Sequence, residues 1–254
     1  MISSLTSASP AKDANSSPLQ TPKQNQILAA LPAMEYSRLL PHLQLMPLPL
    51  GKVLYEPGEI MKCAYFPVAG IISMLYVMRS GASAEIAIVG NEGLVGVSLF
   101  MGGESTTSRA VAQNAGACYR LRADILRREF ALGGAMQHLT LSYTQALMAQ
   151  MTQTAACNRH HTLDQQLCRW LLLSLDRSQG AELTMTQQLI ANMLGVTLEG
   201  VIEALDKLQS NGLIRHNQGL VTVLDRPHLE RRVCECYAVV KKEFSRLLPY
   251  KLVA

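Results

Sequence analysis

No apolar run in the 254-residue sequence approaches the ~20 residues that a membrane-crossing helix requires. The richest stretches, 71–77 and 86–89, have the length of strands and are punctuated. A spanning helix is therefore excluded, and no membrane partner is expected. The N-terminus also lacks the apolar centre of a signal peptide, because Ile2 and Leu5 stand among Ser3, Ser4, Thr6, Ser7 and Ser9. The expected location is a reducing cytoplasm. Cys63, Cys118, Cys157, Cys168, Cys234 and Cys236 include no CxxC pair, and a chain of this size needs no disulfide staples. They are expected to be buried, inert thiols. No phosphate-binding glycine loop, nucleophile elbow, HExxH or paired-carboxylate pattern occurs, so no enzyme is expected and no cofactor is assigned.

What the sequence does contain is enough apolar material for packed cores: 48% hydrophobic against 17% charged residues, with mean hydropathy +0.12. Wholesale disorder is excluded, and the length suits two domains. A net charge of +4 permits a nucleic-acid partner without demanding one. Residues 1–24 hold six serines and three prolines with almost no large apolar groups, and are expected to be a disordered leader.

From residue 25 to 134 the pattern predicts two short helices followed by about eight short strands, the signature of a barrel or sandwich. Pro57-Gly58 suits a type II turn. Strands are expected over 71–78 and 84–89 as one hairpin, and over 109–113 and 117–121 as another. The period then turns helical. Residues 136–161 contain neither Pro nor Gly, and Met136, Tyr143, Gln150 and Cys157 recur every seven, with Thr140, Leu147, Thr154 and His161 as a companion series. This predicts a parallel dimerisation helix over 135–161, its seam formed by Met136, Tyr143, Leu147, Gln150 and Thr154. The alternative is a helix buried within one chain.

The region 162–254 reads as helix, helix, glycine turn, helix, small hairpin and one final helix. Thr186 caps the second helix and Gly195 ends it. Val196, Val201, Leu205 and Leu208 fill the core, and Asn217-Gln218-Gly219 turns the hairpin. That is the layout of a winged helix-turn-helix. A β-roll, a long helix and a winged helix in this order resemble the cyclic-AMP receptor protein/Fnr (Crp/Fnr) family of bacterial transcription regulators. The resemblance covers residues from about 25 to 248. It implies an α+β fold: an N-terminal cyclic-nucleotide-binding-like β-roll (jelly roll), a long dimerisation helix and a C-terminal winged helix-turn-helix. It also implies a homodimer that binds double-stranded promoter DNA, with RNA polymerase and an unidentified small-molecule effector as further partners.

Carried over position by position, the resemblance places Thr186, Gln187, Gln188, Thr197, Leu198, Glu199 and Gly200 at the DNA, with Lys207, Arg215 and His216 as further contacts. Thr197 and Glu199 match the family's reading helix, whereas Leu198 and Glu203 stand where arginines normally do. Over 197–210, Glu199, Glu203 and Asp206 against Lys207 leave the helix net −2, which a phosphate-lined groove disfavours. Basic groups must therefore come from Arg159, Arg169, Arg177, Arg215 or His216. The competing reading is a protein-interaction module whose winged helix no longer reads bases. In the sensor half, Gly96 falls where the family's ribose-binding Glu belongs, and Thr106-Thr107 where its phosphate-binding Arg-Ser belongs. Glu92 and Arg109 are nearby but out of register, so a candidate pocket comprises Glu92, Gly96, Thr106, Thr107 and Arg109. The expected effector is not cyclic AMP held in the family's manner, or is absent.

An Fnr-type iron–sulfur cluster is excluded because no cysteine precedes Cys63. Cys157, His161, Asp164 and Cys168 are spaced like ligands on one helix face, but a helix junction near Thr162 makes a polar hinge the preferred reading, and no metal is assigned. Cys234 and Cys236, two apart on the final helix, are expected to face different directions.

Overall fold

The computed structural model describes residues 20–178, 180–217 and 219–249. The expected leader lies outside the described residues except for 20–24. There Pro22–Gln24 form a 3-10 turn, and the Gln20 carbonyl accepts from the Tyr119 hydroxyl at 2.8 Å. Asn25 caps the first helix, α1 (Gln26–Ala29), and its amide donates to the carbonyls of Pro67 and Gly93. A second short helix, α2 (Ala33–Leu39), follows.

Seven strands then form the roll: β1 (Gln44–Leu48), β2 (Val53–Tyr55), β3 (Cys63–Ala69), β4 (Ile72–Val77), β5 (Ser83–Val89), β6 (Ser108–Ala112) and β7 (Gly116–Arg122). They make two antiparallel sheets, β1-β7-β3 and β2-β6-β4-β5. The turn at Pro57-Gly58 is present: Gly58 has φ +79° and the Glu59 amide donates to the Glu56 carbonyl. The β4–β5 hairpin is also present. The second expected hairpin is not, because β6 and β7 lie in different sheets. The Ile71 amide donates to Asn114 Oδ1 at 2.6 Å, and Gly116 lies so close to the Ala69 backbone that a Cβ would overlap it. The segment 113–115 therefore carries the chain from one sheet to the other.

Helix α3 (Ala123–Ala131) leads into α4 (Ala135–His160), whose first amides donate to the Glu35 carboxylate at 2.9 Å. Thr162 caps α5 (Leu163–Leu175), which is buried from Gln166 to Leu175. The C-terminal domain contains β8 (Glu182–Thr184), α6 (Gln187–Leu194), α7 (Leu198–Ser210), β9 (Ile214–Asn217) and β10 (Leu220–Val223), with strand order β8-β10-β9. The sequence pattern does not reveal β8, and Gln218 of the wing turn lies outside the described residues.

Two expectations change here. The single final helix is in fact two, α8 (Arg226–Arg232) and α9 (Glu235–Leu247), because Val233 and Cys234 are extended. Arg226 of α8 and Tyr237 of α9 both hydrogen-bond the buried Asp176, which fixes the elbow. Helix α9 thereby folds back along α4, with Phe244 edge-on to Tyr143 at 6.4 Å between ring centroids. The expected dimer seam is consequently the inward face of α4: Met136, Tyr143, Leu147, Gln150 and Thr154 are all buried within one chain. A heptad pattern reports a buried stripe without saying whose surface buries it.

Candidate nucleic-acid interface

The reading head is built from capped helices at a sharp turn. Thr186 Oγ1 accepts from the Leu189 amide at 3.1 Å and starts α6. Gly195, at φ +70°, ends α6 in the left-handed conformation that glycine adopts without strain. Thr197 Oγ1 then accepts from the Gly200 amide at 3.3 Å and starts α7. The chain turns by 111° between the two helices, within the range of helix-turn-helix units. Ile190, Ala191, Val201, Leu205 and Leu208 are buried, and Glu199, Glu203, Asp206 and Gln209 of α7 are exposed.

Thr197, Glu199 and Glu203 are exposed, and Leu198 is half-buried. A cleft of about 350 Å³ between α6, α7 and the wing is lined by Thr186, Gln187, Gln188, Leu198 and His216. The cleft brings together five of the ten residues expected at the DNA. Gly200 has another role, since an added Cβ would meet Leu163 at 3.1 Å where α7 crosses α5.

The basic candidates divide. Arg215 is exposed on β9 and Arg159 at the end of α4. Lys207 instead pairs with Asp164, while His216 Nε2 lies 2.8 Å from Asp206 Oδ1. Arg169 and Arg177 are buried and point inward: Arg169 donates to Thr154 Oγ1 at 3.1 Å and Arg177 to Glu92 at 2.7 Å. Neither can meet a phosphate in this arrangement.

Residues 45–131 match the cyclic nucleotide-binding domain family, and residues 165–232 match the Crp-like helix-turn-helix domain family. The chain belongs to the Crp/Fnr family. FixK2 of Bradyrhizobium japonicum is structurally similar to it, with TM-score 0.64 and 16% identity over 76% of this chain and 98% of that one. A CRP-family transcriptional regulator of Thermus thermophilus gives 0.63 and 20% over 74% and 95%. The c-di-GMP-responsive global regulator CLP of Xanthomonas campestris gives 0.61 and 17% over 76% and 100%. At these identities the structural likeness concerns the fold. No curated protein matches the sequence.

In the roll, the polar residues expected to line a pocket are engaged elsewhere. Glu92 is buried against Arg177 and accepts from the Gly90 amide. Arg109 pairs instead with Glu56 at 2.7 Å in a half-exposed contact. Thr106 hydrogen-bonds Ser108, and its carbonyl accepts from Gly58. Gly96, at φ +117°, lies against Ala64. The carboxylate and the arginine expected in one pocket thus have separate partners. A cleft of about 650 Å³ between the roll and α5 is lined by Val68, Asn91, Asn114, Asp176 and Arg177, among others, and by none of the five expected pocket residues.

A polar chain that the sequence pattern does not reveal joins the roll to α5. Trp170 Nε1 of α5 donates to Glu85 Oε1 at 2.8 Å. Ser73 Oγ lies 2.5 Å from Glu85 Oε2 and 2.9 Å from Gln113 Oε1, and Gln113 donates to Ser174 Oγ. Ser73 has one hydroxyl proton for two acceptors, so a proton on Glu85 satisfies both contacts. Burial raises the Glu85 carboxyl from 4.5 to about 7, against the opposing hydrogen bonds of Ser73 and Trp170 and the charges of Arg169 and Arg177. The only sequence signal was a Glu in a strand whose neighbours are apolar.

Proposed function

We propose that two copies of this chain form a DNA-binding transcription regulator whose effector, if it has one, is not cyclic AMP held in the family's manner. The observation that carries the reading is the capped first turn of α7, exposed beside the β9–β10 wing and turned 111° from α6. Thr197 and Glu199 present groups to base edges there, Leu198 offers only apolar contact, and Arg215 supplies cationic charge from the wing.

The dimer uses the face of α4 that α9 leaves uncovered. His138, Leu141, Gln145, Met148, Thr152, Ala155 and Arg159 are exposed and alternate in steps of three and four, which is coiled-coil spacing. Leu141 and Met148, 49% and 58% exposed, lie one heptad apart on this face.

The test is a titration of the full chain against a pool of random duplex DNA at several salt concentrations. Binding whose logarithm falls linearly with log salt supports DNA recognition through phosphate contacts. Absence of binding at low salt favours the interaction-module reading, for which the acidic surface of α7 speaks.

A further inference from the structure

Four side chains outside the reading surface meet where the long helix ends. Cys157 lies in the last turn of α4, and His161 follows that helix directly. Cys234 is the N-cap of α9, and Cys236 lies in its first turn. Their donor atoms all lie within 4.8 Å of one another. Cys157 Sγ is 3.6 Å from Cys234 Sγ, and Cys236 Sγ is 3.4 Å from His161 Nδ1. A tetrahedral zinc ion, with Zn–S of about 2.3 Å and Zn–N of about 2.0–2.1 Å, has edges of about 3.8 Å between sulfurs and 3.5 Å between sulfur and nitrogen. Two edges already have those lengths, and the others close with movements of about 1 Å.

This overturns the expectation that Cys234 and Cys236 face apart. They would do so on one continuous helix. The break at Val233 makes Cys234 a cap, and its side chain joins Cys236 on the α4 side. From the spacing-based set, Cys157 and His161 belong here, whereas Asp164 pairs with Lys207.

The surroundings point the same way. Cys157, Cys234 and Cys236 are buried free thiols. His161 has its Nδ1 toward the sulfurs and its Nε2 3.3 Å from Glu235 Oε2. A proton on Nε2 held by that carboxylate leaves the Nδ1 lone pair facing the cluster, the second-sphere arrangement of metal-bound histidines. Gln153 Nε2 lies 3.1 Å from Cys236 Sγ as a donor to it. A Cys157–Cys234 disulfide would leave Cys236, His161 and the Glu235 behind it without a use. Donors this close together enclose one ion rather than a multi-iron cluster.

We propose that Cys157, His161, Cys234 and Cys236 hold a structural zinc ion that staples the end of α4 to the start of α9. Three thiolates and an imidazole suit zinc, and four protein ligands close the site to substrate. The staple spans the two breaks in the helical path, after His160 and at Val233, and so fixes the reading head relative to the long helix.

Elemental analysis of the untagged full-length chain, purified without chelator, is expected to find one zinc per chain. Replacement by cobalt(II) is expected to give the intense visible bands of a tetrahedral thiolate site. Cys157→Ser and Cys236→Ser lose the metal, while Cys63→Ser, on β3 away from the cluster, keeps it. Glu235→Gln, at a mostly exposed side chain, lowers zinc affinity about 10–100-fold in chelator competition with an unchanged circular-dichroism spectrum. A wild-type chain that holds no zinc and takes up no cobalt would overturn the proposal, whatever the folding of the variants. So would full zinc retention by Cys236→Ser, or a Cys157–Cys234 disulfide trapped by alkylation in the cell.

Discussion

Arg177 Nε lies 2.7 Å from Glu92 Oε1, with the two side chains 0% and 1% exposed. The pair joins the loop after β5 to the end of α5. Its arginine also donates to Gln150 Oε1 of α4 and to the Leu173 carbonyl, and lies over the Phe244 ring of α9. The roll, α4, α5 and α9 therefore share one guanidinium. The neighbouring glycines are needed for space: a Cβ at Gly90 would overlap Arg177, and one at Gly93 would overlap the Tyr143 ring.

Removing one partner of this pair leaves the other charge buried and uncompensated. Arg177→Ala is expected to cost about 3–5 kcal/mol in urea unfolding, far more than the half-exposed Arg109→Ala. Equal losses for the two would show that the Glu92–Arg177 pair is not shut off from water.

Glu85 makes stability pH-dependent. Its folded carboxyl, raised from 4.5 to about 7, holds a proton that the unfolded chain has already released. The associated stabilisation is complete below the unfolded value and disappears as pH rises through about 7, on the order of 3 kcal/mol in all. Unfolding midpoints measured between about pH 5 and pH 8 should thus fall more steeply for the wild type than for Glu85→Gln. Parallel profiles would mean that Glu85 is ionised in the fold throughout.

The proposed assembly face of α4 lies opposite its buried face. Met148→Glu is expected to shift sedimentation toward the monomer with little change in stability. Leu147→Ala, one residue away but 2% exposed, is expected to cost about 2–5 kcal/mol of stability. A Met148→Glu chain that sediments as a dimer would place the interface elsewhere.

Leu198→Arg restores a base-reading cation at the first turn of α7. It is expected to raise DNA affinity and change the preferred sequence in selections from random duplexes. Arg215→Ala should weaken all sequences about equally and lower the salt slope by about 1. If Leu198→Arg altered neither preference nor affinity, α7 would not enter the groove.

Cyclic AMP is expected to bind weakly or not at all, because Glu92 is spent on Arg177 and Arg109 on Glu56. Calorimetry that found micromolar affinity, about −8 kcal/mol, would show that a pocket forms by another route.

The local elements were legible because their determinants are local. Thr162, Thr186 and Thr197 stand at the starts of the helices they cap, and Gly195 turns the reading head. Spacing of apolar groups also located α4 to within a residue at each end. The order of these elements was enough to suggest the Crp/Fnr resemblance. Which surfaces they bury against was not legible. A period of seven marks a stripe on α4, but the packing of the roll and the return of α9 decide that Tyr143 and Leu147 face inward and Leu141 and Met148 outward. Likewise, alternation marks β6 and β7 as strands, and only the close approach at Gly116 assigns them to different sheets. The break at Val233 depends on Asp176, more than fifty residues earlier, holding Arg226 and Tyr237 together. That elbow brings Cys234 and Cys236 to Cys157 and His161. Periodicity and capping act over one or two helical turns and can be read from neighbours in sequence. Pairing of sheets, choice of buried face and convergence of side chains are contacts between distant segments, and the tertiary structure alone decides them.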